Sequence, residues 1–105
     1  MLRICPVALQ TVRDVKPLIE QISRFDRDHA RQLRTSTMST VLNVAEGAGS
    51  RGGRRRARYE DALGSARESV ANLEASEAAG YIRSFDAELR ARFDHIIGTL
   101  VRIVC

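Results

Sequence analysis

The stretch GAGSRGGRRR (residues 47–56) divides the chain and decides how it folds. Four glycines and four arginines fall within it, and clusters of glycine interrupt helices and form connections. On both sides of the stretch, apolar residues recur at intervals of three and four residues, which is the spacing of one helix face. The pattern predicts two long helices joined by a short connection, so that they lie side by side and antiparallel.

The helix upstream of this break is predicted to begin after Asp26, which can cap it, and to end at Gly47 and Gly49. Its predicted buried face consists of Leu33, Thr37, Val41, Val44 and Ala45, flanked by Met38 and Leu42. The downstream helix is predicted over residues 53–79, with Gly80 as its C-terminal cap. Its predicted face is slim and rich in alanine, and consists of Tyr59, Ala62, Ala66, Val70 and Leu73.

One further helix is predicted on each side of this central pair. The first covers residues 7–24, where Pro17 predicts a kink or a restart, and the last begins after Ser84 as its cap. Their apolar faces are formed by Val12, Val15, Leu18, Ile19, Ile22 and Phe25, and by Leu89, Phe93, Ile96, Ile97, Leu100, Val101 and Val104. Four helices with short connections and almost no strand pattern predict an all-α fold, an antiparallel up-and-down four-helix bundle that forms a single domain over residues 1–105.

Length and composition restrict the class of protein. A chain of 105 residues has room for one domain, which excludes an enzyme with separate cofactor and substrate domains. Neither a secretory signal nor an apolar run long enough for a membrane span is present, and Cys5 and Cys105 are too few for a disulfide framework. We expect a cytoplasmic protein, and so small a chain gains buried surface by forming oligomers.

The charge is distributed unevenly along the chain. The net charge is +4, but residues 24–58 contain nine arginines and only three acidic residues, whereas residues 59–105 carry a net charge of −3. Lys16 is the only lysine, and the guanidinium of arginine suits phosphate and carboxylate partners. Two interpretations follow: the two halves pair across subunits, or the basic segment binds an external polyanion.

Several short motifs of the two central helices occur together at a specific spacing. They are Gln32-Leu33-Arg34, Ser39, Asn43-Val44-Ala45-Glu46-Gly47, Ala62-Leu63-Gly64-Ser65, Glu68 and Gly80-Tyr81-Ile82. Over residues 25–82, the chain thereby resembles the four-helix-bundle family of proteins encoded in intervening sequences of bacterial 23S rRNA genes. The accessory variability determinant of diversity-generating retroelements is a member of the same family. The motifs leave open which of the two groups the chain is closer to.

The resemblance implies a protomer that assembles as a barrel-like homopentamer with a basic surface. For the retroelement members it implies binding to nucleic acid and to a reverse transcriptase, whereas the role of the intervening-sequence members is open. It implies neither an enzymatic activity nor a cofactor. Within the motifs, we expect a structural role for Asn43, Glu46, Gly47, Gly64 and Ser65, with Glu46 bound to a cationic or hydrogen-bonding partner and Gly64 at a close approach of helices.

The strongest candidate for a binding site is a group of arginines at the start of the third helix: Arg51, Arg54, Arg55, Arg56 and Arg58. Cations in a first helical turn oppose the helix dipole, so folding alone does not favour them there. We interpret them as contacts to nucleic-acid phosphates, which need charge rather than base recognition. The alternative is a solvated connection whose arginines pair with Glu60, Asp61 or acids of a neighbouring subunit.

A second basic face is predicted on the second helix, where Arg27, Arg31 and Arg34 recur at intervals of four and three residues. It either extends the binding surface or is an ordinary solvated helix face. Few aromatic residues lie among the arginines, so base stacking is not predicted. The function predicted is that of a non-enzymatic, oligomeric, nucleic-acid-binding bundle, accessory to a reverse transcriptase if the retroelement likeness holds. The alternative is a protein-interaction or scaffold homo-oligomer that binds no nucleic acid.

No catalytic or metal site is predicted. His29 follows Asp26 at a spacing used by bundle metal sites, but no second matching pair is present, and His29 is expected to be an exposed residue among charges. No phosphate-loop lysine follows the glycines, which excludes nucleotide hydrolysis of that type.

Overall fold

The computed structural model describes residues 4–105, and all of the secondary structure in this part of the chain is helical. The helices are α1 (Ile4–Ser23), α2 (Arg27–Ala48), α3 (Gly52–Ala78) and α4 (Ala87–Val104). The all-helical prediction is therefore confirmed, and each long apolar period corresponds to one helix. The four-helix arrangement is confirmed as well.

The helices form a ring of four. Helix α1 packs against α2 and α4, and α3 packs against the same two helices, with the most extensive contact between α2 and α3. The short connections make successive helices antiparallel, and the resulting body measures 42 × 24 × 21 Å. One end carries the connection of residues 49–51 and is called the arginine end. The opposite end carries the connections of residues 24–26 and 79–86 and is called the aromatic end.

The interior consists of two apolar clusters, one near each end. The cluster of the arginine end includes Ile4, Val44 and Tyr59, and that of the aromatic end is built around Leu33 and Phe93. Small polar residues are also fully buried on α1, α2 and α3, namely Thr11, Ser36, Thr37, Thr40, Ser69 and Ser76. Their hydroxyl groups are satisfied locally, because most of them donate to a carbonyl three or four residues earlier in the same helix.

The predicted face of α2 needs correction. Leu33, Thr37 and Val44 are buried as expected, but Val41 is only half-buried and Ala45 is exposed. Their predicted places are taken by residues with hydroxyl groups and by Gly47, which hydropathy alone does not assign to a core.

One predicted helix end is wrong and another is only partly right. Gly47 lies inside α2, which ends at Ala48, whereas Gly49 is its C-terminal cap as predicted, so the break between the central helices is shorter than expected. Asp86 rather than Ser84 caps α4, because the Asp86 side chain accepts a hydrogen bond from the Leu89 amide at 3.2 Å.

The predicted caps on the other two helix ends are present. The Asp26 carboxylate accepts from the His29 amide at 3.0 Å. At the end of α3, Gly80 takes a left-handed φ of 79° while the Tyr81 amide donates to the Ser76 carbonyl at 2.9 Å. Pro17 lies within α1, which runs unbroken from Ile4 to Ser23, so the helix does not restart there.

The pH dependence of stability should report the burial of Tyr59. Burial raises the pKa of Tyr59 above its usual value of 10.0, an effect that Cys5 reinforces and Arg55 opposes. Between about pH 10 and the raised pKa, the unfolded chain releases the phenolic proton while the folded chain keeps it, so stability falls as the pH rises through this interval. Thermal unfolding at about pH 9 and about pH 11 should show a smaller decline for Tyr59→Phe than for the wild type. An equal decline in both would contradict this assignment.

Candidate nucleic-acid interface

The five arginines predicted as the main site are all exposed at the arginine end. Arg51 is the N-terminal cap residue of α3 and makes no capping hydrogen bond through its side chain. No acidic residue occupies the first turn of α3, so cations fill the place where the helix dipole favours anions. The start of α3 therefore combines poor local stabilisation with a high density of positive charge.

Two of these arginines fix the connection to its surroundings. Arg55 Nε donates to the Ser50 carbonyl oxygen at 2.8 Å, across the turn between α2 and α3. Arg56 Nη2 donates to the Val104 carbonyl oxygen at 2.6 Å, which joins the start of α3 to the last turn of α4. Its Nε pairs with Glu60 at 2.9 Å. Arg56 thus has a structural role in addition to its charge.

Arg58 and Glu46 form an ion pair between α3 and α2, with Nε 3.1 Å from Oε2. The prediction that Glu46 has a cationic partner is confirmed, and the pair ties the last part of α2 to the first part of α3. Both side chains are about half exposed, at 44% and 55%, so the guanidinium of Arg58 remains accessible to a ligand.

Of the five arginines, Arg56 and Arg58 form ion pairs with acidic residues of the protein. Glu60 pairs with Arg56, as the alternative interpretation predicted, whereas Asp61 makes no ion pair within residues 4–105. In that same part of the chain, Arg51 and Arg54 make neither an ion pair nor a side-chain hydrogen bond. These two guanidinium groups have their full donor capacity available for an external anion.

The three arginines of the second basic face, on α2, do not form one continuous site. Arg34 lines a groove of about 470 Å³ together with Met38 and Asn43 of α2 and Arg58 of α3. The structure thus brings Arg34 and Arg58, which the sequence placed in separate groups, to one groove. Arg27 and Arg31 lie nearer the aromatic end, and Arg31 is engaged by Asp28 at 3.1 Å.

The motif residues form one polar contact between α2 and α3. Asn43 Nδ2 donates to the Ser39 carbonyl at 3.0 Å and to its hydroxyl at 3.1 Å, and the Ser65 hydroxyl donates to the same hydroxyl at 2.9 Å. Asn43 therefore acts on α3 through Ser39 rather than directly. Gly64 is exposed, and a Cβ there would meet nothing within 4 Å, so no helix of the protomer approaches it closely.

The closest packing occurs instead at Gly47. A Cβ on this residue would lie 2.6 Å from Cδ1 of Tyr59, well below a normal contact. The Tyr59 ring of α3 thus occupies the space beside the α2 backbone where a side chain at position 47 would otherwise lie. In the sequence, a glycine within a helical pattern indicates a close contact, but the spacing alone does not show that Tyr59 is the residue it contacts.

His29 is placed differently from the prediction. It is half-buried rather than exposed, and its Nε2 hydrogen-bonds the Asn72 carbonyl at 3.1 Å, while Asn72 Nδ2 donates to the His29 carbonyl at 2.9 Å. This reciprocal pair joins the start of α2 to α3. Asn72 is buried within the apolar face of α3, and its position there is the signal that sequence reasoning missed.

Within residues 4–105, no group of three or more His, Cys, Asp or Glu side chains is close enough to hold a metal ion. None of the four helices is long and apolar enough to cross a bilayer. No protein-family model matches the sequence, and the comparisons with curated proteins and with solved structures found no match. The resemblance to the 23S rRNA intervening-sequence proteins therefore stays a prediction, which rests on the motif residues of the central helices alone.

Arg54→Glu should stabilise the fold and weaken anion binding at the same time. An acidic residue in the first turn of α3 replaces an unfavourable interaction with the helix dipole by a favourable one, which adds about 0.5–2 kcal/mol for the reversal of charge. Since Arg54 has no ion pair to lose within residues 4–105, nothing offsets this gain. Thermal unfolding at low salt measures it, and a lower melting temperature in the variant would contradict the interpretation.

Proposed function

We propose that this protein is a non-enzymatic bundle that binds nucleic acid through its arginine end. The observation that carries the proposal is the pair Arg51 and Arg54: two exposed guanidinium groups that form no ion pair with any residue the structure describes, at a helix start where folding favours acids. Arg55 and Arg56 add charge next to them. Phosphate groups match this arrangement, because they accept the hydrogen bonds of guanidinium and interact favourably with a helix N-terminus.

The groove between α2 and α3 extends the proposed contact. Arg34 and Arg58 line it, which allows a strand that binds the arginine end to continue along the side of the bundle. Contacts of this kind position the backbone of a nucleic acid and read little sequence. The motif resemblance supports the same class of partner, with a reverse transcriptase as a protein partner if the retroelement likeness holds.

We also propose that the protein forms a homo-oligomer, in particular a pentamer, because the resemblance implies this assembly. The structure adds a reason for association: Leu9, Met38 and Leu42 are large apolar residues that are 46%, 45% and 57% exposed on α1 and α2. The same residues favour the second candidate function, a scaffold homo-oligomer whose arginines pair with acids of neighbouring subunits. Light scattering in low and high salt gives the stoichiometry and shows whether ion pairs hold the assembly together.

Salt titration of binding tests the proposed function. Labelled duplex DNA, single-stranded DNA and RNA of unrelated sequences are each titrated with the protein between about 50 and 200 mM salt. Three to five phosphate contacts predict that log Kobs falls against log salt with a slope of about −2.7 to −4.5 on duplex DNA, with similar affinity for unrelated sequences. Absence of binding to every probe at the lowest salt would overturn the proposal in favour of the scaffold.

A further inference from the structure

The aromatic end carries a ring that the fold leaves open to solvent. Phe25, in the connection between α1 and α2, is 64% exposed, the largest exposure among the large apolar residues of the described chain. One face of its ring stacks on Tyr81, with 5.3 Å between ring centroids and 12° between ring planes. Packing on Tyr81 accounts for one face of Phe25 only, so its other face is available to a planar partner.

The Tyr81 ring, on which Phe25 stacks, is held in place by its own contacts. The Tyr81 ring meets the edge of His29 at 5.9 Å and 70°, and His29 is held by its hydrogen bonds with Asn72. The Tyr81 amide is bound in the cap of α3, and the Phe25 amide donates to the Ile22 carbonyl at 2.9 Å. Both rings are thus attached to helix ends, and the platform exists before any ligand binds.

Two arginines flank the rings. Arg24 and Arg83 line an open cleft of about 560 Å³ together with Phe25 and Tyr81, and neither arginine forms an ion pair within residues 4–105. The nearest acidic residues along the chain, Asp26 and Asp86, are engaged as the caps of α2 and α4. The cleft therefore presents an aromatic face beside uncompensated positive charge.

We propose that this cleft, here called the stacking cleft, binds an unstacked base of a single-stranded nucleic acid. The base stacks on the open face of Phe25, and the phosphates on either side of it contact Arg24 and Arg83. Stacking of this kind accepts every base, because each has a π face, and it is the usual partner of a basic backbone contact in single-strand binding. The proposal extends the proposed function to a second site and names the form of nucleic acid that the site selects.

A short probe separates the two sites. A thymidine trinucleotide is too short to reach from the stacking cleft to the arginine end along a body 42 Å long, so a trinucleotide bound in the cleft makes no contact with Arg51–Arg58. NMR signals of the Phe25 and Tyr81 rings report occupancy of the cleft, and Tyr59, which is buried, serves as the internal reference. The second probe is an abasic trimer with the same sugar-phosphate charge.

We expect the trinucleotide to shift the ring signals of Phe25 and Tyr81, and the abasic trimer to bind about tenfold more weakly. Phe25→Leu, which keeps an apolar contact to Tyr81 but has no aromatic face, should lose about tenfold in affinity, and Ile103→Ala, at an exposed apolar position of α4 outside the cleft, should lose none. Circular dichroism verifies that each variant is folded.

Equal affinity for the two trimers, or an unchanged affinity of Phe25→Leu, would overturn the stacking cleft even if long strands bind at the arginine end. No shift of the Tyr81 signals at saturating trinucleotide would do the same and would make a protein segment the better partner for Phe25. Conversely, binding of the trinucleotide together with no binding of duplex DNA in the salt titration would retain the cleft and overturn the proposed contact at the arginine end.

Discussion

Replacing Gly47 by alanine is expected to destabilise the bundle by about 2 kcal/mol or more, because the added methyl group overpacks a filled interior. Its Cβ would lie 2.6 Å from Cδ1 of Tyr59, and that ring cannot move away freely, since it is packed in a cluster with Val44, Ala62 and Ile96. For a domain of this size, the loss corresponds to a fall of about 10 °C in the melting temperature. Thermal unfolding at neutral pH measures it.

Gly64→Ala is the matched control. It introduces the same methyl group within α3 at an exposed position where nothing lies within 4 Å, so only helix propensity changes and the protomer should gain about 1 kcal/mol. Equal effects of the two alanines would show that Gly47 is not a packing position. A loss of oligomer in Gly64→Ala, with the protomer still folded, would place a neighbouring subunit against Gly64.

A double-mutant cycle attributes the effect to the contact itself. Tyr59→Leu removes the ring that the new methyl group meets, so Gly47→Ala should be much less damaging in that background. A coupling energy well above the 0.3–0.5 kcal/mol typical of independent sites is expected. Purely additive effects would instead assign the loss to the backbone of α2.

The helices were predictable from the sequence because their apolar period is strong, but the content of the core was less so. The apolar period predicts Ala45 on the buried face of α2, whereas the structure buries Ser36 and Thr40. Their hydroxyl groups are satisfied by carbonyls of their own helix or by Ser69 of α3, so small polar residues can fill a close helix contact without a large penalty. Hydropathy alone does not distinguish such residues from exposed ones.

The arginines of the main site were predictable as a group, because a run of cations at a helix start is visible in the sequence. Which of them contact other parts of the protein, and which are left for a ligand, was not predictable. Arg56 reaches the Val104 carbonyl and Arg58 reaches Glu46, and both contacts depend on how three helices meet at the arginine end. The stacking of Phe25 on Tyr81 was not predictable either, because the two residues lie in connections that are distant in sequence and meet only in the folded protein.

Changing Arg54, Arg55 and Arg56 together to alanine is expected to weaken binding of duplex DNA by about 100-fold near 0.1 M salt. Three lost phosphate contacts should also flatten the slope of log Kobs against log salt by about 2 to 3, with the same loss on every sequence, because the contacts read charge rather than bases. Fluorescence anisotropy across a salt series measures both quantities.

A control with the same loss of net charge distinguishes a local site from a general attraction. Arg13, Lys16 and Arg67 are exposed on α1 and α3 outside both proposed sites. If the arginine end is the contact, replacing these three by alanine lowers affinity only slightly, whereas the Arg54, Arg55 and Arg56 variant loses most of it. Equal losses would mean that the net charge alone attracts nucleic acid. An unchanged affinity and slope in the Arg54, Arg55 and Arg56 variant would refute the proposed contact. Only Arg51 and Arg58 would then remain of the arginine end, and binding would not depend on the cations in the first turn of α3.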